Sequence, residues 1–389
     1  MASEWREATL DQVVDFTSGG TPSKDDPKLW GGSIPWCSAK DMKVLRIGDT
    51  EDHVSEAGLK STRLATTGTI LLLTRGMTLL KDIPICVTEK SMAFNQDVKA
   101  LHARPGLDSD YLLYWLLANK ARLLGMVDLA GHGTGRLNTD ELKSLDIVLP
   151  PLAEQRRIVR VLRALDDKIE LNRRMSQTLE SMARGLFDAS FGDEWSVAPL
   201  GSMVVSVREQ VRPFAFPERL FDHYSIPAFD ESGMPLMEPG SEIKSAKWRV
   251  HGDEVLLSKL NPETGRVWLP TRAHGHDAVC STEFLVLRPV APVSRPFLYC
   301  LLTSRRFRDR LESVVSGTTG SRQRASAAAV LGLPVVAPAH AAIEEFDKVT
   351  GPALCRVSRA RHEAATLSRL RDSLLPVMPL GAPASGVLP

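Results

Sequence analysis

Three loops of this 389-residue sequence combine glycine with hydroxyl, amide and cationic side chains. They are residues 17–24 (TSGGTPSK), 131–138 (GHGTGRLN) and 316–324 (SGTTGSRQR). Glycine lets a backbone approach a ligand closely, while Ser, Thr, Asn, Lys and Arg donate hydrogen bonds to phosphates and to base edges. Any one of these loops alone could be an ordinary surface loop. Because loops of this kind occur in both halves of the chain, we favour contacts with nucleic acid.

The candidate contact residues are polar, cationic or glycine residues in these loops and in the apolar runs beside them. In the first half of the chain we expect contacts from Thr21, Ser23, Lys24, Arg75, Gly135, Arg136 and Asn138. In the second half we expect them from Lys259, Arg266, Thr319, Arg322 and Arg324.

The sequence lacks the motifs of an enzyme that modifies or cleaves DNA. An amino-methyltransferase needs an Asn/Asp-Pro-Pro-aromatic loop around the flipped base, and the nearest match, residues 261–264 (NPET), has neither the second proline nor the aromatic residue. No GxxxxGK[ST] motif for ATP is present. Asp253 and Glu254, before Lys259, only faintly resemble a metal-nuclease cluster. We therefore predict a non-catalytic protein with no cofactor and no metal site.

The composition is that of a globular protein, with 43% hydrophobic and 24% charged residues. The apolar runs at 70–73 and 111–118 are much shorter than the roughly 20 residues that cross a bilayer. Five scattered cysteines without a C-x-x-C pair indicate reduced thiols, so we expect a cytoplasmic protein. The net charge of +1 is low for a free-standing nucleic-acid binder. Basic patches should therefore be local, or partner subunits should share the binding.

Sequence blocks recur in constant order at a spacing of about 185–190 residues. Trp5, Leu10 and Val14 match Trp195, Leu200 and Val204; residues 68–74, 95–101 and 133–136 match 252–258, 281–287 and 317–322. We therefore predict a two-fold internal repeat.

Each repeat should begin with a mixed α/β globule, at residues 1–150 and 193–337. Short apolar runs at 70–74, 83–87 and 97–101 are separated by turn residues, a pattern typical of strands. Acidic residues at 108–110 precede the apolar stretch 111–117, which predicts the capped start of a helix packed on that sheet.

Each globule should be followed by a long amphipathic helix, at residues 151–192 and 338–378, with a flexible tail at 379–389. In both segments apolar residues recur at steps of three and four, as in a coiled-coil seam. The predicted packing residues are Ile158, Leu162, Leu165, Ile169, Leu179 and Leu186 in the first helix and Phe346, Val357, Leu367 and Leu374 in the second. We expect the helices to pair antiparallel, and Gly351-Pro352 predicts a break or kink near Thr350.

Two similar globules separated by a rigid spacer suit a ligand with two half-sites at a fixed distance, and DNA is such a ligand. The alternative is a coiled-coil scaffold protein that holds other subunits without binding DNA.

Three segments carry a resemblance to a known family, the specificity subunits of type I restriction-modification systems. Residues 18–36 (SGGTPS…LWGGSIPW) resemble the opening of a target recognition domain. Residues 149–158 (LPPLAEQRRI) resemble the start of the central conserved helix, and residues 370–376 (LRDSLLP) resemble the end of the C-terminal helix.

This resemblance implies two target recognition domains that each read one half of a split, asymmetric site in double-stranded DNA. The two conserved helices would set the distance between the halves and bind two modification (methyltransferase) subunits. Restriction (endonuclease/translocase) subunits would join that core, and the methyl donor, ATP and metal would belong to the partners.

The sequence departs from the family pattern in two places. Residues 337–343 (APAHAAI) lack the Pro-Pro-x-x-Glu-Gln of residues 150–155, so one methyltransferase should dock less symmetrically. The Trp-Gly-Gly block at 30–32 has no close counterpart in the second half, so the two half-sites should differ.

Overall fold

The computed structural model describes residues 5–130, 133–192, 195–271, 275–316 and 323–377. The chain divides into two compact units, Met1–Asp167 with Ser368–Pro389, and Lys168–Leu367. Both divisions fall inside the two longest helices, so each unit combines a globule with parts of both helices. The predicted segment bounds therefore stay predictions, and the predicted tail at 379–389 lies outside the described residues.

The first unit has a mixed α/β fold. Its strands are β1 (Arg6–Thr9), β2 (Val14–Ser18), β3 (Trp30–Cys37), β4 (Arg46–Ile47), β5 (Asp52–Val54), β6 (Arg63–Ala65), β7 (Ile70–Leu73), β8 (Arg75–Gly76), β9 (Ile85–Thr88), β10 (Met92–Phe94), β11 (Val98–Ala103), β12 (Val127–Ala130), β13 (Thr134–Leu137) and β14 (Asp146–Leu149). Its helices are α1 (Leu10–Val13), α2 (Glu56–Leu59), α3 (Ser109–Ala118), α4 (Lys120–Gly125), α5 (Thr139–Lys143) and the start of α6 (Leu152–Ser190). The sheets have the orders β2-β11-β7-β9-β4, β5-β3-β10-β6, β12-β13-β8 and β1-β14.

The sequence pattern of the first unit predicts its central elements correctly. The apolar runs expected as strands form β7, β9 and β11, which are antiparallel neighbours in the five-stranded sheet. Helix α3 begins after Asp108, whose carboxylate accepts hydrogen bonds from the backbone N–H groups of Asp110 and Tyr111. Residues 111–116 of α3 are all buried, so this helix forms a large part of the core.

The second unit is also mixed α/β. Its strands are β15 (Val197–Pro199), β16 (Val204–Val207), β17 (Gln210–Val211), β18 (Leu220–Tyr224), β19 (Leu236–Pro239), β20 (Lys247–Val250), β21 (Val255–Ser258), β22 (Val267–Trp268), β23 (Asp277–Cys280), β24 (Phe284–Pro289), β25 (Val315–Ser316), β26 (Arg324–Ala325) and β27 (Pro334–Val336). Its helices are α7 (Ile226–Ser232), α8 (Arg295–Thr303), α9 (Arg305–Glu312), α10 (Ala327–Gly332) and most of α11 (His340–Leu374). The sheets have the orders β16-β24-β21-β22, β17-β20-β23-β18-β19, β15-β27 and β25-β26.

Helix α11 is continuous from His340 to Leu374 although it contains Pro352. A break near Thr350, one of the two predicted outcomes, is therefore wrong, whereas a kink there stays a prediction. A proline removes only one backbone donor, and buried residues on both sides of it, Phe346 and Leu354, hold both parts of the helix against the core of the second unit. The Thr350 hydroxyl also donates a hydrogen bond to the Phe346 carbonyl one turn earlier.

The predicted packing residues of the long helices are buried to different degrees. Ile158, Leu162, Phe346 and Val357 are buried, whereas Leu165, Ile169, Leu179, Leu186, Leu367 and Leu374 are half-buried. On α6 the residue after each of three half-buried positions is itself buried; these residues are Asp166, Glu180 and Phe187. The inward face of α6 therefore contains two carboxylates as well as apolar side chains.

Within the second unit, the parts of α6 and α11 that belong to it run in opposite directions. Lys168 forms an ion pair with Glu363 at 3.4 Å. The Phe187 ring lies 5.9 Å from the Phe346 ring, centroid to centroid. Residue numbers therefore fall along α11 as they rise along α6.

In the described ranges, no helix is both long enough and apolar enough to cross a membrane.

We predict that Leu162→Asp lowers the free energy of unfolding of the first unit by about 3–5 kcal/mol, because it places an unpaired charge at a fully buried position. Leu171→Asp is the matched control, since Leu171 lies on the same helix and is 58% exposed. Denaturant unfolding of both variants checks the prediction, and equal losses would contradict the assigned burial.

Candidate nucleic-acid interface

Two arginines of the first unit lie directly opposite each other on neighbouring strands. Arg75 of β8 pairs in register with Arg136 of β13, and both side chains are exposed. Like charges at such positions repel, and no carboxylate of the described residues lies within ion-pair distance of either guanidinium. Asp128 faces Arg136 from β12 but does not reach it. The arrangement suits an external anion that would bridge both arginines.

A groove beside this arginine pair adds further polar groups. Its lining includes Lys99, Gln96 and Asn138, together with Asp97 and Asp140. Burial lowers the pKa of Lys99, and nearby Lys143 lowers it further. The ammonium of Lys99 donates to the Ser18 hydroxyl at 2.5 Å.

Besides the Lys99–Ser18 hydrogen bond, the loop at 17–24 reaches the same groove through Thr21. The Thr21 hydroxyl donates to Oε1 of Gln96 at 2.5 Å. Gly20 lets the loop pack closely against the backbone of Ser61, because a Cβ there would lie 2.3 Å from the Ser61 carbonyl oxygen. Ser23 and Lys24 are exposed further along the loop. Sequence reasoning missed Gln96, and its only signal was its place in the block repeated at 281–287.

Two predicted contact residues, Gly135 and Asn138, have structural roles in this region. Gly135 lies under the turn Met77–Leu80, where a Cβ would be 2.8 Å from Leu79 Cβ. Asn138 caps α5, and its side-chain oxygen accepts from the Asp140 backbone N–H. Direct DNA contacts by these two residues stay predictions.

The second unit has cations in a similar local setting. Lys259 follows β21, and its carbonyl accepts from the Ala325 backbone N–H at 3.0 Å. Arg324 of β26 forms a bridge with Leu260 and an ion pair with Glu283 at 2.8 Å. Lys259 and Arg324 are thus brought together at neighbouring backbone positions. Thr319 and Arg322 lie outside the described residues.

Arg266 is nine-tenths buried, and its guanidinium donates to both carboxylate oxygens of Asp230, at 2.6 and 2.8 Å. This geometry anchors the turn that precedes β22. A DNA contact by Arg266 stays a prediction. In the structure its guanidinium has the structural role of binding Asp230.

Helix α9 carries cations that our candidate set left out. Arg308 lies over the neighbouring turn at Gly265, where a Cβ would be 3.1 Å from Arg308 Cδ. Arg306 instead donates to the Phe191 carbonyl at 2.9 Å. The four arginines at 305–310 were the sequence signal for cations here. Only the structure shows that Arg306 binds a backbone carbonyl whereas Arg308 lies at the Gly265 turn.

The chain is similar in sequence to known DNA specificity subunits. A family model described as type I restriction modification DNA specificity domain matches residues 2–181. The chain is 24% identical to the type I restriction enzyme MjaIX specificity subunit of Methanocaldococcus jannaschii, across 97% of this chain and 93% of that protein. It is 30% identical over 166 residues to the EcoR124I/EcoR124II specificity subunit of Escherichia coli, across 42% of this chain and 41% of that protein.

A solved structure has a similar fold. The S subunit of a type I restriction-modification system from M. genitalium aligns with a TM-score of 0.63 over 98% of this chain and 97% of that chain. The sequence identity is 15%, so this likeness concerns the fold alone.

We predict that Gly135→Ala lowers the free energy of unfolding by about 1–3 kcal/mol, because the added methyl group overpacks the contact between β13 and Leu79. Gly125→Ala is the control, since a Cβ at Gly125 meets no other atom within 4 Å. Thermal unfolding of the two variants distinguishes them. A loss for Gly125→Ala as large as that for Gly135→Ala would contradict the steric argument.

Proposed function

Because the chain belongs to the specificity subunits of type I restriction-modification systems, we propose that it reads DNA sequence for a larger complex and has no catalytic activity of its own. The target is a bipartite, asymmetric site in double-stranded DNA. Residues 1–150 read one half-site and residues 193–337 read the other.

The observation that carries this proposal is the unneutralised cation pair Arg75–Arg136, together with Lys259 and Arg324 in the second unit. In the first unit, Arg75 follows the inner strand β7 and lies beside Arg136 of β13. In the second unit, Lys259 follows the inner strand β21 and lies beside Arg324 of β26. In each unit, a capped helix follows that arginine, with Asn138 or Ser326 as the cap. DNA phosphates would supply the anions that Arg75 and Arg136 lack, whereas Arg324 already forms an ion pair with Glu283.

The partners in this proposal are two modification (methyltransferase) subunits and the restriction (endonuclease/translocase) subunits. The methyl donor, ATP and metal ions belong to those partners. The long helices α6 and α11 form an antiparallel coiled-coil spacer and provide the docking surface for the modification subunits. The opposite directions of their segments in the second unit support the antiparallel pairing.

An internal two-fold repeat is part of the same proposal. The sheet order β2-β11-β7-β9 in the first unit has a counterpart in β16-β24-β21-β22 in the second. Helices α3, α4 and α5 occur in the same sequential order as α8, α9 and α10. This agreement supports divergence of two copies, which would then read different half-sites.

The alternative is a coiled-coil scaffold protein that does not bind DNA. A scaffold role accounts for the long helices equally well. It gives no reason for two arginines to face each other without a counter-ion, so we favour the DNA-reading function.

Mapping of methylated bases across the host genome, with and without the gene, tests the proposal. We expect a split motif with two unlike halves and a fixed gap to vanish on deletion. Exchange of residues 1–150 for those of a relative should then change one half of the motif only. An unchanged pattern of methylation in a host with active partner subunits would favour the scaffold.

We predict that Arg136→Ala, in the complete complex, weakens binding to its DNA site and reduces the salt dependence of binding by about one phosphate contact. Lys90→Ala is the control, because this exposed cation already pairs with Asp49 at 3.2 Å. Titration of binding at several salt concentrations measures both slopes. Identical slopes for Arg136→Ala and the unaltered protein would remove Arg136 from the interface.

A further inference from the structure

A buried carboxylate of α6 connects three helices of the first unit. Asp166 is 4% exposed. Its Oδ2 accepts a hydrogen bond from the Tyr114 hydroxyl of α3 at 2.7 Å. Its Oδ1 accepts one from Nη1 of Arg371, near the end of α11, also at 2.7 Å. One carboxylate thus joins the α/β globule to both long helices.

A second carboxylate of α6 makes the same set of bonds in the second unit. Glu180 is 7% exposed. Its Oε1 accepts from the Tyr299 hydroxyl of α8 at 2.6 Å. Its Oε2 accepts from Nη2 of Arg361 on α11 at 2.7 Å. We name Tyr114–Asp166–Arg371 the first clamp and Tyr299–Glu180–Arg361 the second clamp.

Each clamp restricts the position of a globule relative to the long helices more strictly than apolar packing does. A buried carboxylate needs donors on its oxygens, and a displaced donor leaves a costly unpaired charge. Apolar side chains tolerate small sliding movements because their contacts have little direction. Burial and then the neighbouring acid raise the pKa of Tyr114 and of Tyr299, so both phenols keep the proton that they donate.

The acids do not occupy equivalent places in the proposed repeat. Tyr114 bonds to the long helix that follows its globule, whereas Tyr299 bonds to the long helix that precedes its globule. Simple inheritance of one contact by both copies therefore does not account for the pair. Each tyrosine hydroxyl has a carboxylate of α6 as its partner, which points to a shared requirement for orientation.

We propose that Tyr114 and Tyr299 are positioning residues that fix the orientation of each recognition domain on the long helices, and so restrict the complex to one gap length between half-sites. This inference rests on the proposed DNA-reading function. Neither tyrosine touches DNA in this proposal, and each acts through its clamp.

The chain provides a matched control for each tyrosine. Tyr111 is as buried as Tyr114 and lies on the same helix, but its hydroxyl donates to the Val148 carbonyl inside the globule at 2.8 Å. Tyr224 likewise is buried, and its hydroxyl donates to the Thr271 carbonyl at 2.8 Å. Changing each of these four tyrosines to phenylalanine removes one hydroxyl and keeps the ring.

The test is methylation of a library of DNA sites whose two halves are constant and whose gap varies by one base pair at a time. The full complex is used, and long-read sequencing gives the fraction of methylated sites at each gap length. We expect Tyr114→Phe and Tyr299→Phe to raise the methylated fraction at gaps one base pair too long or too short by about tenfold. We expect Tyr111→Phe and Tyr224→Phe to leave the gap distribution unchanged.

A second variant covers the case in which a buried tyrosine change prevents folding. Arg361→Gln opens the second clamp at a side chain that is 40% exposed, and we expect the same broadening of the gap distribution. A uniform loss of methylation at the native gap, without broadening in any clamp variant, overturns the proposal. If the unaltered complex shows no gap preference and no motif at all, the DNA-reading function itself fails, and the two results are therefore distinguishable.

Discussion

Helix α6 has one face of buried side chains along its length, and a helix by itself cannot bury such a face. The folding of each unit therefore depends on the residues that cover its part of this face. In the first unit Leu162 joins the core that contains α3. In the second unit Phe187 packs against Phe297 and Phe346. One polar group on the same face is matched as closely: the buried amide of Gln155 accepts from the Asp108 N–H and donates to two carbonyls. The buried side-chain amide of Asn172, in contrast, has no hydrogen-bond partner among the described residues. Hydrogen bonds have preferred directions, so within an apolar core they favour one arrangement of the helices in each unit as well as stabilising it.

The distribution of charge explains how a chain of net charge +1 can have a local pair of cations without a neighbouring acid. Many cations are already neutralised by neighbouring acids, as Arg104 is by Asp15. Arg75 and Arg136 are not, and the strand register holds them opposite each other. The electrostatic field at the groove therefore depends on which cations lack a neighbouring acid, and hardly on the net charge of the whole chain.

Sequence patterns were most reliable where local chemistry decides the outcome. The Asp108 cap, the apolar runs of β7 and β11, and the span of α6 follow from hydrogen-bonding capacity and from side-chain periodicity. The expected break does not occur at Pro352, where buried residues on both sides of the proline hold the helix against the core. The sequence pattern also assigned the seam to Leu165, whereas the neighbouring Asp166 is the more deeply buried.

By itself the sequence determined the mixed α/β class, the presence of a long helix after residue 151 and the family resemblance, because these depend on periodicity, caps and the order of motifs. It also identified Arg75, Arg136, Lys259 and Arg324 as residue types suited to an anion. Only the tertiary structure decided which cations remain without a partner, since ion pairs such as Arg266–Asp230 join residues far apart in the chain. The tertiary structure likewise decided that two acids of α6 point inward, because their burial depends on donors supplied by other helices.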